Sequence, residues 1–199
     1  MTMTLFNSRV SGNCYKVRLL AAQLGLELEL RELDVVDRSN RSEVLGGLNP
    51  ALRVPTLVMD DGRPLGESNA ILWYLGDGTE YVPTDPYERA QILQWQFFEQ
   101  YSHEPYIAVA RFWALFGIEP SEEQRAEKMH WGNRALAALD GHLRDHRFLV
   151  GERYTAADIS LYAYTHVADE GGFEIERYPA IGPWLERVAA QPGHILITD

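Results

Sequence analysis

The chain has 199 residues, 46% hydrophobic and 24% charged, a composition typical of a soluble globule long enough for one large or two small domains. Its net charge is −11, with 10 of the 29 acidic residues in positions 1–78 and 19 in positions 79–199. We therefore exclude a general nucleic-acid surface, which requires clustered Lys and Arg. The only cysteine, Cys14, excludes an internal disulfide and a cysteine-rich zinc site.

Three features predict a cytoplasmic protein without a membrane segment. No run approaches the roughly 20 apolar residues of a membrane span. The stretch from Met1 to Val10 is too short and too polar for a secretory signal. A lone cysteine also suits a reducing compartment.

Positions 1–78 alternate short strands with short helices. Residues 26–30 read Leu-Glu-Leu-Glu-Leu, a strict alternation that predicts a strand with one buried face. Gly25 is expected to end the helix before it, and Asp60-Asp61-Gly62 is a hairpin turn signal. The predicted elements are a strand at 4–7, a helix with Cys14, Val17, Ala21 and Leu24 on one stripe, the strand at 26–30, a short irregular helix at 41–48, strands at 54–59 and 63–65, and a helix at 67–76.

Residues 79–86 are dense in turn residues and are predicted to form a linker. Beyond them the strand signals stop, so an all-helical segment is predicted. Pro105 is expected to bend its first helix, and Thr155 to Asp158 form a capping box that begins a later one. The predicted helices cover 87–115, 121–145, 155–169 and 180–190.

Two short motifs can together hold a small zwitterionic peptide. In Arg53-Val54-Pro55-Thr56-Leu57, the proline cannot donate to a ladder and leaves Val54 able to pair its backbone with an extended ligand. Glu67-Ser68 begins the next helix, whose first N–H groups suit a carboxylate, while the Glu67 side chain suits an ammonium. An amino-acid head group carries both charges, so the two motifs suggest a glutathione site.

These motifs, with Asn49-Pro50 ahead of them and the capping box in register, resemble the glutathione transferase family over nearly the whole chain. The resemblance implies an α/β thioredoxin-like N-terminal domain over 1–78 that binds glutathione. It implies a linker at 79–86 and an all-α helical-bundle C-terminal domain over 87–199 that forms the second-substrate pocket.

The resemblance also implies roles for the motif residues. Pro55 would be in the cis form, and Val54 would pair with the cysteine backbone of glutathione. Glu67 and Ser68 would grip the γ-glutamyl end. Arg53 stands where the family commonly has Lys or Gln, and it would meet the glycine carboxylate.

The first helix indicates the subgroup. Tyrosine-type members place a catalytic Tyr on the first strand, where this chain has Leu5-Phe6. Serine-type members place the active hydroxyl just ahead of the first helix, and Ser11 fits that register. The chain therefore resembles bacterial serine-type cytosolic transferases related to the theta, zeta or nu classes, with Ser11 as the catalytic hydroxyl.

The chemistry requires ionisation of the glutathione thiol, which with a pKa near 8.5 is roughly 3% ionised at neutral pH. A hydroxyl donor and a helix N-terminus could lower that pKa by about 1–2, so Ser11 needs only to donate, although it could also be an ordinary N-cap. Asn13 could donate to the thiolate or cap the helix. Cys14 could instead form a mixed disulfide, but its place on the apolar stripe predicts burial.

The first long helix of the second half carries the candidates for the second-substrate pocket. Aromatic stripes at helical spacing also occur in cores, so a packing role remains open for each candidate. These residues are Tyr101, His103, Tyr106 and Arg111. No metal is expected, because His142 and His146 lie one turn apart without an evident third ligand.

We therefore expect a glutathione transferase that uses glutathione as co-substrate, stabilises its thiolate through a hydroxyl hydrogen bond and conjugates it to a small electrophile. A glutathione-dependent disulfide reductase, with Ser11 and Asn13 steadying the leaving thiolate, is one alternative. A non-catalytic binding module of the same fold is another. The resemblance implies a homodimer, and we expect no nucleic-acid or membrane partner.

Overall fold

A computed structural model describes residues 3–199, and the first two residues of the predicted N-terminal domain lie outside the described part. The chain divides into two compact units. One unit runs to Asp77 and also includes Pro192–Asp199, and the other is Gly78–Gln191. The resemblance implies a C-terminal domain over 87–199, whereas residues 192–199 pack with the first unit.

The first unit contains a four-stranded mixed sheet in the order β2-β1-β3-β4. Strand β1 pairs in parallel with β2 and antiparallel with β3, and β3 pairs antiparallel with β4. This is the βαβ-α-ββα order of a thioredoxin-like domain, so the predicted fold class is confirmed. The elements are β1 (Met3–Asn7), α1 (Gly12–Gln23), β2 (Leu28–Glu32), α2 (Arg41–Leu45), β3 (Thr56–Val58), β4 (Pro64–Gly66) and α3 (Ser68–Gly76).

Helix α1 begins and ends with recognisable caps. Ser11 is the N-cap, and its side chain accepts a hydrogen bond from the backbone N–H of Cys14. At the other end the N–H of Gly25 donates to Ala22 and that of Leu26 donates to Ala21, which is a Schellman motif. Gly25 has φ +67°, a conformation that glycine adopts without a Cβ penalty. The predicted helix stop is confirmed.

The buried face predicted for strand β2 is wrong. Leu28 is half-buried, the other four residues of the strand are exposed, and 44% of Leu30 is accessible. Strand β2 lies at the edge of the sheet, beside β1 alone. Strict alternation predicts a half-buried strand, but it does not reveal whether another element covers the apolar face.

The C-terminal segment is tied to helix α1 by two side chains. The Arg18 guanidinium donates to the carbonyl of Ile197 over 2.6 Å, and the Tyr15 hydroxyl donates to the carbonyl of Ile195 over 2.7 Å. Both donors belong to buried residues of α1. These two bonds hold the C-terminal segment against α1 and so make it part of the first unit.

The second unit is helical, as predicted. The long helix predicted over 87–115 is interrupted by a π-helical turn at Glu99–His103, which ends two residues before Pro105. A proline removes one backbone donor, which makes a disruption expected one turn before it. The helices are α4 (Pro86–Phe98), α5 (Glu104–Leu115), α6 (Glu122–Leu143), α7 (Ala156–Thr165) and α8 (Ile181–Ala189), with short 3-10 turns at Ala168–Gly171 and Ile175–Arg177.

The predicted capping box at the start of α7 is present and fully buried. Asp158 accepts from the backbone N–H and hydroxyl of Thr155 at 3.0 and 3.2 Å. Its other oxygen accepts from the N–H of Leu149 at 3.0 Å and from the indole of Trp184 at 2.9 Å. One carboxylate therefore connects the start of α7, the segment before it and helix α8.

Candidate functional site

A buried asparagine shapes the loop that precedes β3. The Asn49 amide donates to the hydroxyl of Thr56 at 2.9 Å and to the carbonyl of Arg53 at 3.2 Å. Its oxygen accepts from the N–H of Ala51 at 2.9 Å. A Cβ on Gly66 would lie 2.8 Å from the same amide nitrogen, so any larger residue there would have to displace the Asn49 side chain from these hydrogen bonds. The motif in the sequence includes Asn49 but does not by itself indicate this role.

The loop presents the residues expected to pair with a ligand backbone. The Val54–Pro55 peptide bond is cis, as the resemblance implied. Val54 is half-buried and lies outside the register of both strand pairs that contain β3. Arg53 is exposed. An extended peptide could therefore approach Val54, with Arg53 beside it.

The start of helix α3 has an unusual backbone conformation. Glu67 precedes Ser68 at the helix start with φ +64° and ψ 114°, a region that residues with a side chain seldom adopt. The Glu67 side chain makes no capping hydrogen bond and is exposed, whereas Ser68 is buried. The first N–H groups of α3 are therefore not capped by the residue before them, which suits an external carboxylate.

The start of helix α1 supplies the candidate thiol-activating groups. The Ser11 hydroxyl is half-buried and accepts from Cys14 N–H at 3.3 Å. The capping bond uses a lone pair of the hydroxyl and leaves its single proton, which Ser11 can give either to the neighbouring Cys14 thiol or to a bound thiolate. Asn13, also half-buried, is connected to α3, because the Ser68 hydroxyl donates to its Oδ1 atom over 3.1 Å.

Sequence reasoning missed Lys16, which joins these two helix starts. Lys16 is fully buried, and its Nζ atom lies 2.8 Å from Asn13 Oδ1 and 3.4 Å from Ser68 Oγ. The available signal was the three-residue spacing between Asn13 and Lys16, which places two side chains together on any helix.

Cys14 is buried, as predicted, with no accessible surface. Its sulfur accepts from the N–H of Ser8 at 3.3 Å. Burial raises the pKa of the Cys14 thiol to about 11, although hydrogen bonds from Ser11 and Ser8 oppose this effect. A nucleophilic cysteine needs an accessible thiolate, and this thiol is neither accessible nor ionised near neutral pH.

In the helical unit, the four predicted pocket residues differ in environment. Tyr101 is 84% exposed, and Tyr106 is half-buried beside Trp131. His103 is fully buried, with its Nε2 atom 2.9 Å from the Thr165 hydroxyl.

The remaining candidate, Arg111, is also buried. It pairs with Glu170 over 2.6 Å. Two of the four side chains are therefore engaged in the interior of the unit, and the two tyrosines are the accessible ones.

Within residues 3–199 no group of three or more His, Cys, Asp or Glu side chains is placed to hold a metal ion. The rings of His142 and His146 stack at 4.3 Å, and the His146 ring pairs with Glu152. Burial, followed by the charge of His146, lowers the pKa of His142.

Among the helices described within residues 3–199, none combines the length and apolar character that crossing a membrane requires.

Comparison with known protein families identifies both halves of the chain. The N-terminal domain of glutathione S-transferases matches residues 10–77, and the C-terminal domain matches residues 92–192. The chain belongs to the glutathione S-transferase family. This assignment confirms the resemblance inferred from the motifs.

Individual relatives fall into two groups. A crystal structure of a glutathione S-transferase from Pseudomonas fluorescens Pf-5 is 46% identical, with a TM-score of 0.96 over 100% of both chains. Glutathione S-transferase 2 of Anopheles gambiae is 31% identical over 92% of this chain and 88% of its own. Elongation factor 1-gamma of Artemia salina is 34% identical over 78% of this chain, and the match spans 37% of that relative's length.

Proposed function

We propose that the protein is a glutathione transferase that activates bound glutathione through Ser11 and adds its sulfur to a small electrophile. The observation that carries this proposal is the 3.1 Å hydrogen bond from Ser68 to Asn13. It joins the helix start suited to the γ-glutamyl group to the helix start that carries the Ser11 hydroxyl. One peptide could therefore contact both.

Thiolate stabilisation needs few groups. A hydrogen bond to a charged acceptor contributes roughly 1.5–3 kcal/mol, equivalent to a pKa lowered by about 1–2. The Ser11 hydroxyl and the N-terminus of α1 would together ionise much of the bound thiol near neutral pH. No metal or side-chain nucleophile enters this mechanism.

Tyr101 and Tyr106 are the proposed contacts for the electrophile, because both are accessible.

The γ-glutamyl site gives a binding prediction. Glu67→Ala is expected to weaken glutathione binding by roughly 1–3 kcal/mol, because the ligand ammonium loses its charged partner. Isothermal titration calorimetry measures the change. Glu43→Ala is the matched control, since it removes the same charge from an exposed position on α2 and should leave affinity unchanged. Equal affinities for wild type and Glu67→Ala would refute the assignment.

A homodimer is the second part of the proposal. Helix α4 exposes two large apolar side chains, Leu93 and Phe97, one turn apart on the same face. Phe97 is 67% exposed, which is unusual for a large apolar side chain on a regular helix. A symmetric dimer covers the same patch on both subunits, and aromatic side chains are favoured at such contacts.

Phe97→Glu is expected to convert the dimer to a monomer at micromolar concentration, because two charges would be buried at the two-fold interface. Sedimentation velocity distinguishes the two states. Val36→Glu is the control, because Val36 is an exposed apolar residue of the first unit that lies outside this patch, and the variant should remain dimeric. A wild-type monomer would refute the dimer itself.

The match to elongation factor 1-gamma favours one rival, a non-catalytic module that retains the fold. Steady-state assays with glutathione and an aryl halide test the proposal, which expects saturable turnover that depends on Ser11. Tight glutathione binding without turnover of any electrophile would support the module. Turnover of glutathione-containing disulfides together with inactivity toward aryl halides would support a disulfide reductase.

A further inference from the structure

Arg18 is a buried cation of helix α1 that bonds to two segments far apart in the chain. Only 4% of the residue is exposed, so its guanidinium needs acceptors within the protein. Its Nη2 atom donates to the carbonyl of Ile197 over 2.6 Å and to that of Arg9 over 3.2 Å. Its Nη1 atom donates to Asn7 Oδ1 over 2.7 Å and to the carbonyl of Ser8 over 3.4 Å. One planar group therefore connects the end of strand β1, the loop after it and the C-terminal segment.

The loop that Arg18 holds determines where Ser11 lies. The Ser11 N–H donates to the carbonyl of Ser8 over 3.0 Å, which closes a β-turn between β1 and α1. The same Ser8 carbonyl accepts from Arg18. A shift of Ser8 would therefore move the Ser11 backbone, and the hydroxyl with it, because only two residues separate them.

We propose that the carbonyl of Ile197 acts through Arg18 to hold the Ser11 hydroxyl in place for the thiolate of bound glutathione. This inference rests on the proposed function, since it requires glutathione beside Ser11. Arg18 and Ile197 touch no reacting atom and are positioning residues. They lie 179 positions apart, so the chain's last residues complete a loop that follows its first strand.

Two truncations that differ in the Ile197 carbonyl test the inference. Removal of residues 196–199 deletes this acceptor and leaves the other bonded carbonyl of the segment, that of Ile195, in place. We expect this truncation to raise the pKa of the bound glutathione thiol by about 1, measured by ultraviolet titration of the thiolate. Removal of residues 198–199 is the matched control. It ends the chain at Ile197, whose terminal carboxylate can still accept from Arg18, and it should leave the thiol pKa unchanged.

A double-mutant cycle shows whether the effect passes through Ser11. In a Ser11→Ala background, removal of residues 196–199 should produce no further rise, because the hydroxyl that the segment positions is absent. Arg18→Lys keeps the positive charge but lacks the planar fork that reaches both segments. It should reproduce the rise in thiol pKa, and it decides alone if the truncated chain fails to fold.

Each other outcome overturns the inference. An unchanged thiol pKa after removal of residues 196–199, or in Arg18→Lys, would show that this contact does not position the hydroxyl. Equal rises in the two truncations would show that the Ile197 acceptor is not what matters. An equal rise with and without the Ser11 hydroxyl would show that the segment affects the thiol by another route.

The Ser11→Ala variant separates this inference from the proposed function. If Ser11→Ala leaves the thiol pKa unchanged, the hydroxyl mechanism fails whatever the C-terminal segment does. If Ser11→Ala raises the pKa and removal of residues 196–199 does not, the hydroxyl mechanism stands and the role of Ile197 and Arg18 is wrong.

Discussion

Asp158→Asn is expected to destabilise the protein by roughly 2–5 kcal/mol. The carboxylate accepts four hydrogen bonds in a fully buried site, two on each oxygen. An asparagine offers one oxygen and an N–H₂ group, so donors on one side lose their acceptor. Each unsatisfied buried donor costs about 1–3 kcal/mol. Denaturant unfolding measures the loss as a lower transition midpoint.

The chain provides a matched control in a second capping box. Ser121 and Gln124 begin helix α6 with the same reciprocal bonds, but both residues are exposed. Ser121→Ala should cost only about 1 kcal/mol, as is usual for an N-cap. Similar losses at the two boxes would contradict the importance given to burial and to the Trp184 bond.

The same residue gives a pH dependence with a defined sign. Burial raises the pKa of Asp158 to about 6, against the opposing effect of its hydrogen bonds. The native state therefore binds a proton more tightly than the unfolded state, so stability from this group is complete below about pH 4 and is lost as pH rises through about 6. Wild type should therefore lose part of its stability advantage over Asp158→Asn as the pH is raised from about 4 to above 6. A difference that grows would show that the hydrogen bonds outweigh burial.

Ser11→Ala is expected to lower turnover near neutral pH about 10-fold or more, with a smaller effect on glutathione affinity. The loss should diminish at alkaline pH, where the thiol ionises without assistance. Pre-steady-state and steady-state kinetics over a range of pH measure this profile. A loss of turnover that is independent of pH would contradict thiolate stabilisation by the hydroxyl.

Ser11 is also the N-cap of α1, so a change in turnover could result from a less stable helix and needs a control. Ser11→Gly removes the hydroxyl but is a tolerated N-cap, costing a few tenths of a kcal/mol. It should reproduce the kinetic defect in a protein of nearly normal stability. Cys14→Ala should mainly lower stability, by about 1 kcal/mol, and leave turnover intact.

Much of the fold could be predicted from the sequence because its signals are local. Gly25 in a left-handed conformation ends α1, Asp60-Asp61-Gly62 turns a hairpin, and Thr155 with Asp158 begins α7. Each depends on residues close together in the chain. The exposure of both faces of β2 could not be predicted, because an apolar face is buried only when an element distant in the sequence packs against it.

The candidate site was only partly predictable for a similar reason. Val54, Pro55, Glu67 and Ser68 form contiguous motifs, and their positions at a loop and a helix start follow from local rules. Lys16 was missed because a charged residue on a helix is usually solvated, and its burial depends on packing. The burial of His103 and Arg111 likewise depends on Thr165 and Glu170, which are about 60 positions away.

The most direct test of the central claim is the pKa of the glutathione thiol when bound to wild type, Ser11→Gly and Cys14→Ala, measured by ultraviolet difference titration. We predict that wild type and Cys14→Ala share a pKa well below the value of about 8.5 for an unperturbed thiol. Ser11→Gly should bind glutathione with a pKa about 1–2 higher than wild type. Equal pKa values in wild type and Ser11→Gly, or a rise in Cys14→Ala accompanied by loss of a mixed disulfide with glutathione in mass spectra, would contradict the account.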